Sequence, residues 1–185
     1  MKVTMSEFLK CKKDMLKELV DILLKDFKYV SILGTDICGK EYMVQNTGVT
    51  IGDSMWNERG FVVRVHNGVN YSEFSFNDIA DDELDDLADK IRHNLDDQLE
   101  KIRSSGIDTP YYDVCDEEEM KSSFSHEVQK LPDMVTTGEK IKRMTEFKDS
   151  AMKLSKYMVD YRVRYEEVHV SKIFISGKKE LEQSY

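Results

Sequence analysis

His126-Glu127 is the pair most suggestive of chemistry, because zinc peptidases open a helical ligand motif with His-Glu. The second histidine of such a motif falls four or five residues on. This chain has Lys130 and Leu131 there, so the pair reads as solvated loop. His66, His93 and His169 each stand alone, and lone histidines are more often hydrogen-bonded structural groups than ligands. The carboxylates at positions 81–89 lack the glycine-centred spacing of a calcium loop. The run Asp116-Glu117-Glu118-Glu119 is most simply a solvated one. Cys38 has one basic neighbour, Lys40, which is thin support for an activated thiol. No serine sits in a G-x-S-x-G elbow, and no glycine loop resembles a phosphate cradle. Arg64 is the exception worth following. An arginine in an apolar strand must face solvent, pair with a carboxylate, or contact a ligand or partner.

Arg64 lies in the stretch that organises the chain, G-F-V-V-R-V-H-N-G-V-N-Y-S-E-F-S-F-N from Gly60 to Asn77. Residues 61–65 are mostly β-branched, and residues 69–76 alternate apolar with polar. Asn67-Gly68 between them predicts a type I′ turn and hence a β-hairpin. A helix follows at about 79–102, its first turns crowded with Asp81, Asp82, Glu83, Asp85, Asp86 and Asp89. Negative charge there complements the helix dipole by about 0.3–1 kcal/mol per well-placed group. Gly106 is placed to close it.

Two other helices are predicted by apolar spacing of three, four and seven residues. One spans about 6–25 behind a Thr4…Glu7 capping box, and one begins at a Thr136…Glu139 box and carries Ile141, Met144, Phe147, Ala151, Leu154 and Met158. Short strands are expected at 29–33, 41–45 and 49–51, with Gly34, Gly39 and Gly48 in the turns and Trp56 in a loop at 52–59. Residues 107–135 read as a surface excursion with a short helix near 121–130. The tail alternates as strands at 159–166 and 168–176, then turns at Gly177-Lys178-Lys179 with no closing element expected. The fold class that follows is α+β: one domain over residues 1–185, with an antiparallel-dominated sheet and three main helices packed largely on one face.

Composition bounds the partners. The formal net charge is −9, from 36 acidic and 27 basic residues, which argues against nucleic acid or an anionic membrane. Cys11, Cys38 and Cys115 are odd in number and scattered, so a disulfide framework is not expected and a reducing, cytoplasmic location is. The first ten residues reach charge too soon for a signal peptide, and no apolar run approaches membrane-spanning length.

The hairpin and the helix start D-E-L-D-D-L-A after it resemble the amino-terminal domain of the TldD/PmbA (modulator of DNA gyrase) metallopeptidase family. Gly60, Arg64, Val65, Gly68 and Asn77 fall on that family's G-x-x-x-R-V, glycine-turn and strand-ending Asn positions. The segments E-Y-M-V-Q-N-T-G-V-T and V-H-V-S-K-I-F-I-S match further strands, while Ser176-Gly177-Lys178-Lys179 departs from the family's N-S-x-G turn. The resemblance covers nearly the whole chain but only the family's first domain. It implies an accessory domain that lines a substrate cleft for extended peptides and pairs with a second family subunit. Arg64 and Asn77 are its candidate peptide contacts, and Gly60, Asn67 and Gly68 its turn residues. The family's zinc helix and later cysteine lie downstream, so no catalytic residue, metal ligand or cofactor is expected within these 185 residues, and the chain is expected to be a fragment. Alternatives are part of a non-catalytic partner subunit of that family, or a free-standing acidic interaction module.

Overall fold

The computed structural model describes residues 1–185 apart from Ile79, Asp81, Asp82 and Ile107. Its elements, in chain order, are α1 (Glu7–Leu23), β1 (Val30–Gln45), β2 (Gly48–Asp53), β3 (Glu58–His66), β4 (Tyr71–Phe76), α2 (Leu84–Ser104), β5 (Met120–Ser125), a one-turn 3-10 helix (Pro132–Met134), α3 (Thr137–Met152), β6 (Val163–Ser176) and β7 (Lys179–Ser184). All seven strands join one sheet in the order β4-β3-β1-β6-β7-β5, with β2 on β1 beside β3. Every pairing is antiparallel except β5 on β7. The α+β class expected from the sequence holds.

The spine is the pair β1 and β6, in register from Ser31↔Ser176 to Val44↔Val163. Even-numbered residues of β1 face the helices. Val30 and Ile32 join Phe61, Val63, Val65, Ile173 and Ile175 under α1 and α2, while Tyr42 and Val44 meet Met144 of α3. Because all four β1 residues share one parity, the three helices cover the same face of the sheet. From α1, Leu9, Leu16, Leu19, Val20 and Leu23 are buried, and from α2, Leu84, Leu87, Ala88, Ile91 and Leu95.

β1 corrects the expectation of two strands broken at Gly34 and Gly39. Both glycines are interior strand residues, there because the space for a side chain is already taken. A Cβ at Gly34 would sit 2.8 Å from Ile173 Cγ2 and 3.0 Å from the Phe61 ring, and one at Gly39 would sit 2.2 Å from the Glu167 carbonyl oxygen. Gly60 is likewise interior to β3 rather than a turn residue. A Cβ there would press on Phe76 O at 3.1 Å and Asn77 Oδ1 at 3.2 Å.

The β3–β4 hairpin is present, paired from Phe61↔Phe76 to His66↔Tyr71. Its turn is longer than the predicted two-residue type I′. Asn67 does not adopt positive φ; its side-chain oxygen instead accepts from the Val69 and Asn70 amides at 3.0 and 2.8 Å. Gly68 alone carries the positive φ, at 95°. A Cβ there would meet nothing, so Gly68→Val should act through backbone strain alone and cost about 1–2 kcal/mol. An unchanged urea midpoint would show that the turn relaxes without penalty.

Other corrections follow from contacts distant in sequence. The α1 cap is Ser6, which accepts from the Leu9 amide at 3.3 Å, and not Thr4, whose carbonyl is taken by His169. α2 starts at Leu84 with no side-chain cap; Ile79, Asp81 and Asp82 of the predicted helix start lie outside the described residues. Gly106 has φ 65°, fitting the closing role read for it. Residues 120–125 form β5 rather than a helix, because β7 offers them an edge. The two predicted tail strands are the single β6, which starts at Val163, and the tail does close the sheet, as β7 between β6 and β5. The Thr136–Glu139 capping box is formed, and its hydrogen bonds from the Thr136 hydroxyl and amide hold the Glu139 carboxyl below its ordinary range.

β7 is tied to α1 by charge. Glu180 lies 2.5 Å from Lys13, 2.7 Å from Lys17 and 3.1 Å from Lys121. Hydrogen bonds from Lys13 first, then Lys17, lower its pKa to about 2. A depressed folded pKa stabilises above the unfolded value of 4.5 and ceases to do so as pH falls through about 2. Glu180→Gln should therefore cost about 2 kcal/mol at pH 7 and progressively less between pH 4.5 and 2, read from urea midpoints across that window. A penalty that is flat with pH would remove the lysine cluster as its source.

Candidate functional site

On the sheet face away from the helices, Arg64 sits beside Ser31 in register and opposite Glu73. Its Nε and Nη2 reach Glu73 Oε1 at 2.7 and 2.5 Å, with both side chains about half exposed. The guanidinium is thus satisfied by a cross-strand pair within the domain. Asn77 follows β4 and is exposed. Leu33, at 40% exposure, and its register partners Val62 and Phe174 give this face an uncovered apolar stripe, extended by Leu181 opposite Phe174.

The helical face holds a concavity. Between α1 and α3 neither helix covers β1, so Cys38 and Lys40 are exposed at the floor of a groove of about 730 Å³. Its walls come from Val3 and Thr4, from the 3-10 turn, and from the start of α3. The geometry there centres on one buried ion pair. Lys140 Nζ donates to Glu167 Oε1 and Oε2 at 2.9 and 2.7 Å, and Tyr42 OH donates to Oε1 at 3.2 Å. Burial works against the Lys140 charge, but Glu167 more than offsets it, so its pKa lies above the ordinary lysine value. Burial also raises the nearby Tyr165 hydroxyl, whose ring lies 5.8 Å from that of Tyr42.

The histidines do not converge. His169, the register partner of Cys38, has Nε2 2.9 Å from the Thr4 carbonyl, so that nitrogen carries the proton. His66 is buried, accepts from the Gly68 amide at Nδ1 and points Nε2 at Tyr112 O, 2.8 Å away. It fastens residues 111–112 to the hairpin. His93 is exposed on α2 near Asp97, and His126 uses its backbone to bond Val3 and Ser184. Glu117, read as part of a solvated run, is instead buried, accepting from Tyr29 OH at 3.2 Å and Ser176 Oγ at 2.5 Å. Burial, ahead of Glu117 itself, raises the Tyr29 pKa. The run gave no sign of this, because the polar groups that satisfy Glu117 lie 59 and 88 residues away. Among the described residues, no three His, Cys, Asp or Glu side chains gather in a metal-binding group. All three cysteines are free and exposed.

No protein-family model matches the chain, and no curated protein does. Solved structures do match. A candidate modulator of DNA gyrase from Bacteroides thetaiotaomicron overlays 93% of the chain with a TM-score of 0.64 at 12% identity. TldE from Thermococcus kodakarensis overlays 92% with a TM-score of 0.56 at 9% identity. The chain shares the fold of the part of TldE that it overlays. The resemblance read from the hairpin residues is upheld at the level of fold. The chain spans only 38% of the first protein's length and 36% of TldE's. Among the described residues, no helix is long and apolar enough to cross a membrane.

Proposed function

We propose that residues 1–185 are the amino-terminal accessory domain of a TldD/PmbA-type zinc metallopeptidase, lining a cleft for extended peptides and pairing with a second family subunit. The observation that carries the reading is the overlay of nearly this entire chain on little more than a third of two longer proteins. The site chemistry agrees with an accessory role. The groove's strongest polar group, the Lys140–Glu167 pair, is satisfied internally. Zinc does not fit the residues present. His66 has both ring nitrogens engaged, on the Gly68 amide and the Tyr112 carbonyl, His93, His126 and His169 lie on separate elements, and no three His, Cys, Asp or Glu side chains gather among the described residues. Catalysis in this reading belongs to the other part of the assembly.

The open sheet face supplies the wall. Leu33, Val62 and Phe174 give an extended peptide apolar contact, with Arg64 and Asn77 on the adjoining β3–β4 hairpin. Arg64→Ala removes only a half-exposed pair, so it should cost the domain no more than about 1 kcal/mol. Lowered peptide turnover in the full assembly with an unchanged thermal midpoint keeps Arg64 as a contact. Unchanged turnover confines it to its pairing with Glu73.

The proposal as a whole is tested by reconstitution. Purified chain alone should carry no stoichiometric zinc by elemental analysis and cleave no peptide. Mixed with a zinc-bearing subunit of the family, it should appear in a discrete complex by native mass spectrometry and change that subunit's peptide turnover. One equivalent of tightly held zinc in the isolated chain, or no complex and no change in turnover, would sink the reading.

A further inference from the structure

Residues 111–117 have no regular secondary structure, yet they form a strap fastened across the sheet face away from the helices. His66 shares strand parity with Arg64 and Val62, so its side chain lies on that face, opposite Tyr71 in register. The strap passes over both residues. Its Tyr112 amide donates to Val69 O at 2.9 Å, while Tyr71 OH donates to Asp113 O at 3.3 Å and accepts from the Cys115 amide at 2.6 Å. Glu117 anchors the other end on Tyr29 OH and Ser176 Oγ. Ser176 is one same-face position from Phe174, so the strap borders the uncovered apolar stripe.

The hairpin end of the strap closes on His66. That ring is 2% exposed, with Tyr71 edge-on at 5.2 Å and Tyr111 at 6.3 Å. Each ring nitrogen meets a backbone group of fixed polarity. The Tyr112 carbonyl only accepts, so Nε2 carries a proton; the Gly68 amide only donates, so Nδ1 carries none. The closed strap thus holds a neutral imidazole in one tautomer. Packed around it are Tyr29, Tyr71 and Tyr111, whose phenols as a class titrate at about pH 10. Further along the face Arg64 is paired with Glu73, and Glu117, with Lys179 at 3.5 Å, reaches Tyr29 rather than the ring. Among the described residues no carboxylate forms an ion pair with His66.

We propose that the strap is a proton-operated latch, closed while His66 is neutral and released from the hairpin over residues 111–115 when the ring is protonated. A proton on Nδ1 sets donor against donor at Gly68 and leaves an imidazolium under aromatic cover with no countercharge. The bond from Nε2 to Tyr112 O survives protonation and strengthens. Its geometry does not, because the turn that loses the Gly68 bond is the turn whose Val69 carbonyl holds the Tyr112 amide. Lifting the strap solvates the charge and adds the His66–Tyr71 row to the open face. The latch belongs to this chain itself and does not depend on the accessory-domain reading.

The test is amide hydrogen exchange of the whole chain by NMR between about pH 8 and 5, the window in which imidazoles charge, each rate referred to its intrinsic value at that pH. Opening that takes up one proton should lower the protection of the Tyr112 and Cys115 amides by up to about tenfold per pH unit, while amides of the β1–β6 pairing keep theirs. In His66→Gln, whose side-chain amide can donate to Tyr112 O and stays neutral throughout, the pH dependence should vanish. Glu117→Gln leaves the ring untouched and should retain it, which keeps the question open to measurement if the His66 variant does not fold. Protection that is flat with pH in the parent, or a pH dependence that persists in His66→Gln, overturns the latch. So does its loss in Glu117→Gln, which would assign the sensing to the carboxylate.

Discussion

Gly39→Ala should unfold this protein more readily than any other single methyl addition, lowering stability by about 3 kcal/mol or more. The new Cβ would stand 2.2 Å from the Glu167 carbonyl oxygen and 3.0 Å from Val168 Cα, so the obstacle is backbone and cannot rotate away. Relief requires β1 and β6 to separate at Gly39↔Val168, in the middle of the longest pairing in the sheet. It would also disturb the Gly39 amide, which donates to Asn57 Oδ1 at 2.7 Å, and the Gly39 carbonyl, which accepts from Ser54 at 3.0 Å. Gly34→Ala is the internal comparison, since its neighbours are the side chains of Ile173 and Phe61, which can shift. It should cost less, about 1–2 kcal/mol. Urea midpoints for the two variants decide the matter, and a Gly39→Ala protein as stable as its parent would mean the strands are not in this register.

The second large effect is expected at Lys140→Met. Lys140 and Glu167 side chains are only 8% and 14% exposed, so deleting the cation strands a buried carboxylate. Breaking such a pair from one side costs about 3 kcal/mol, most of it the desolvation of the charge left behind. The double variant K140M/E167L should recover much of that loss, because replacing both partners removes the stranded charge. The pH dependence has a definite sign. A lysine with a raised folded pKa stabilises fully below its unfolded value of 10.5 and ceases to as pH rises through the folded one. The difference between parent and Lys140→Met should thus be constant through neutral pH and shrink only in strong alkali. If Lys140→Met matches the parent at pH 7, or if the double variant is no better than the single, the pair does not hold α3 to the sheet.

What the sequence made legible was local. The β3–β4 hairpin, α1 and the α3 capping box each depend on residues within one turn or one strand pair, and each was in place. Gly34 and Gly39 misled because a glycine looks the same whether it breaks a strand or yields space to a neighbour, and the nearest of those neighbours, Ile173 and Glu167, lie more than a hundred positions away in β6. β5 misled for a related reason. Met-Lys-Ser-Ser-Phe-Ser carries little strand signal of its own and is extended because β7 presents an edge to it. At the candidate site, Arg64 was legible as a residue needing a partner, but its partner Glu73 is set by hairpin register, which the misread turn had left open. The groove between α1 and α3 was invisible, since its floor and walls come from six separate stretches of chain.

The long β1–β6 pairing also sets a schedule. β1 ends at Gln45 and β6 begins at Val163, so one whole edge of a 16-residue strand waits for its mate while the intervening chain is made. At ribosomal rates that wait is roughly 6–24 s. β3 and β2 can close the other edge early, yet the apolar floor completed by Ile173 and Ile175 stays open until the end. Such remote pairing makes folding slow and leaves a sticky nascent edge, so a growing chain of this kind depends on protection during synthesis.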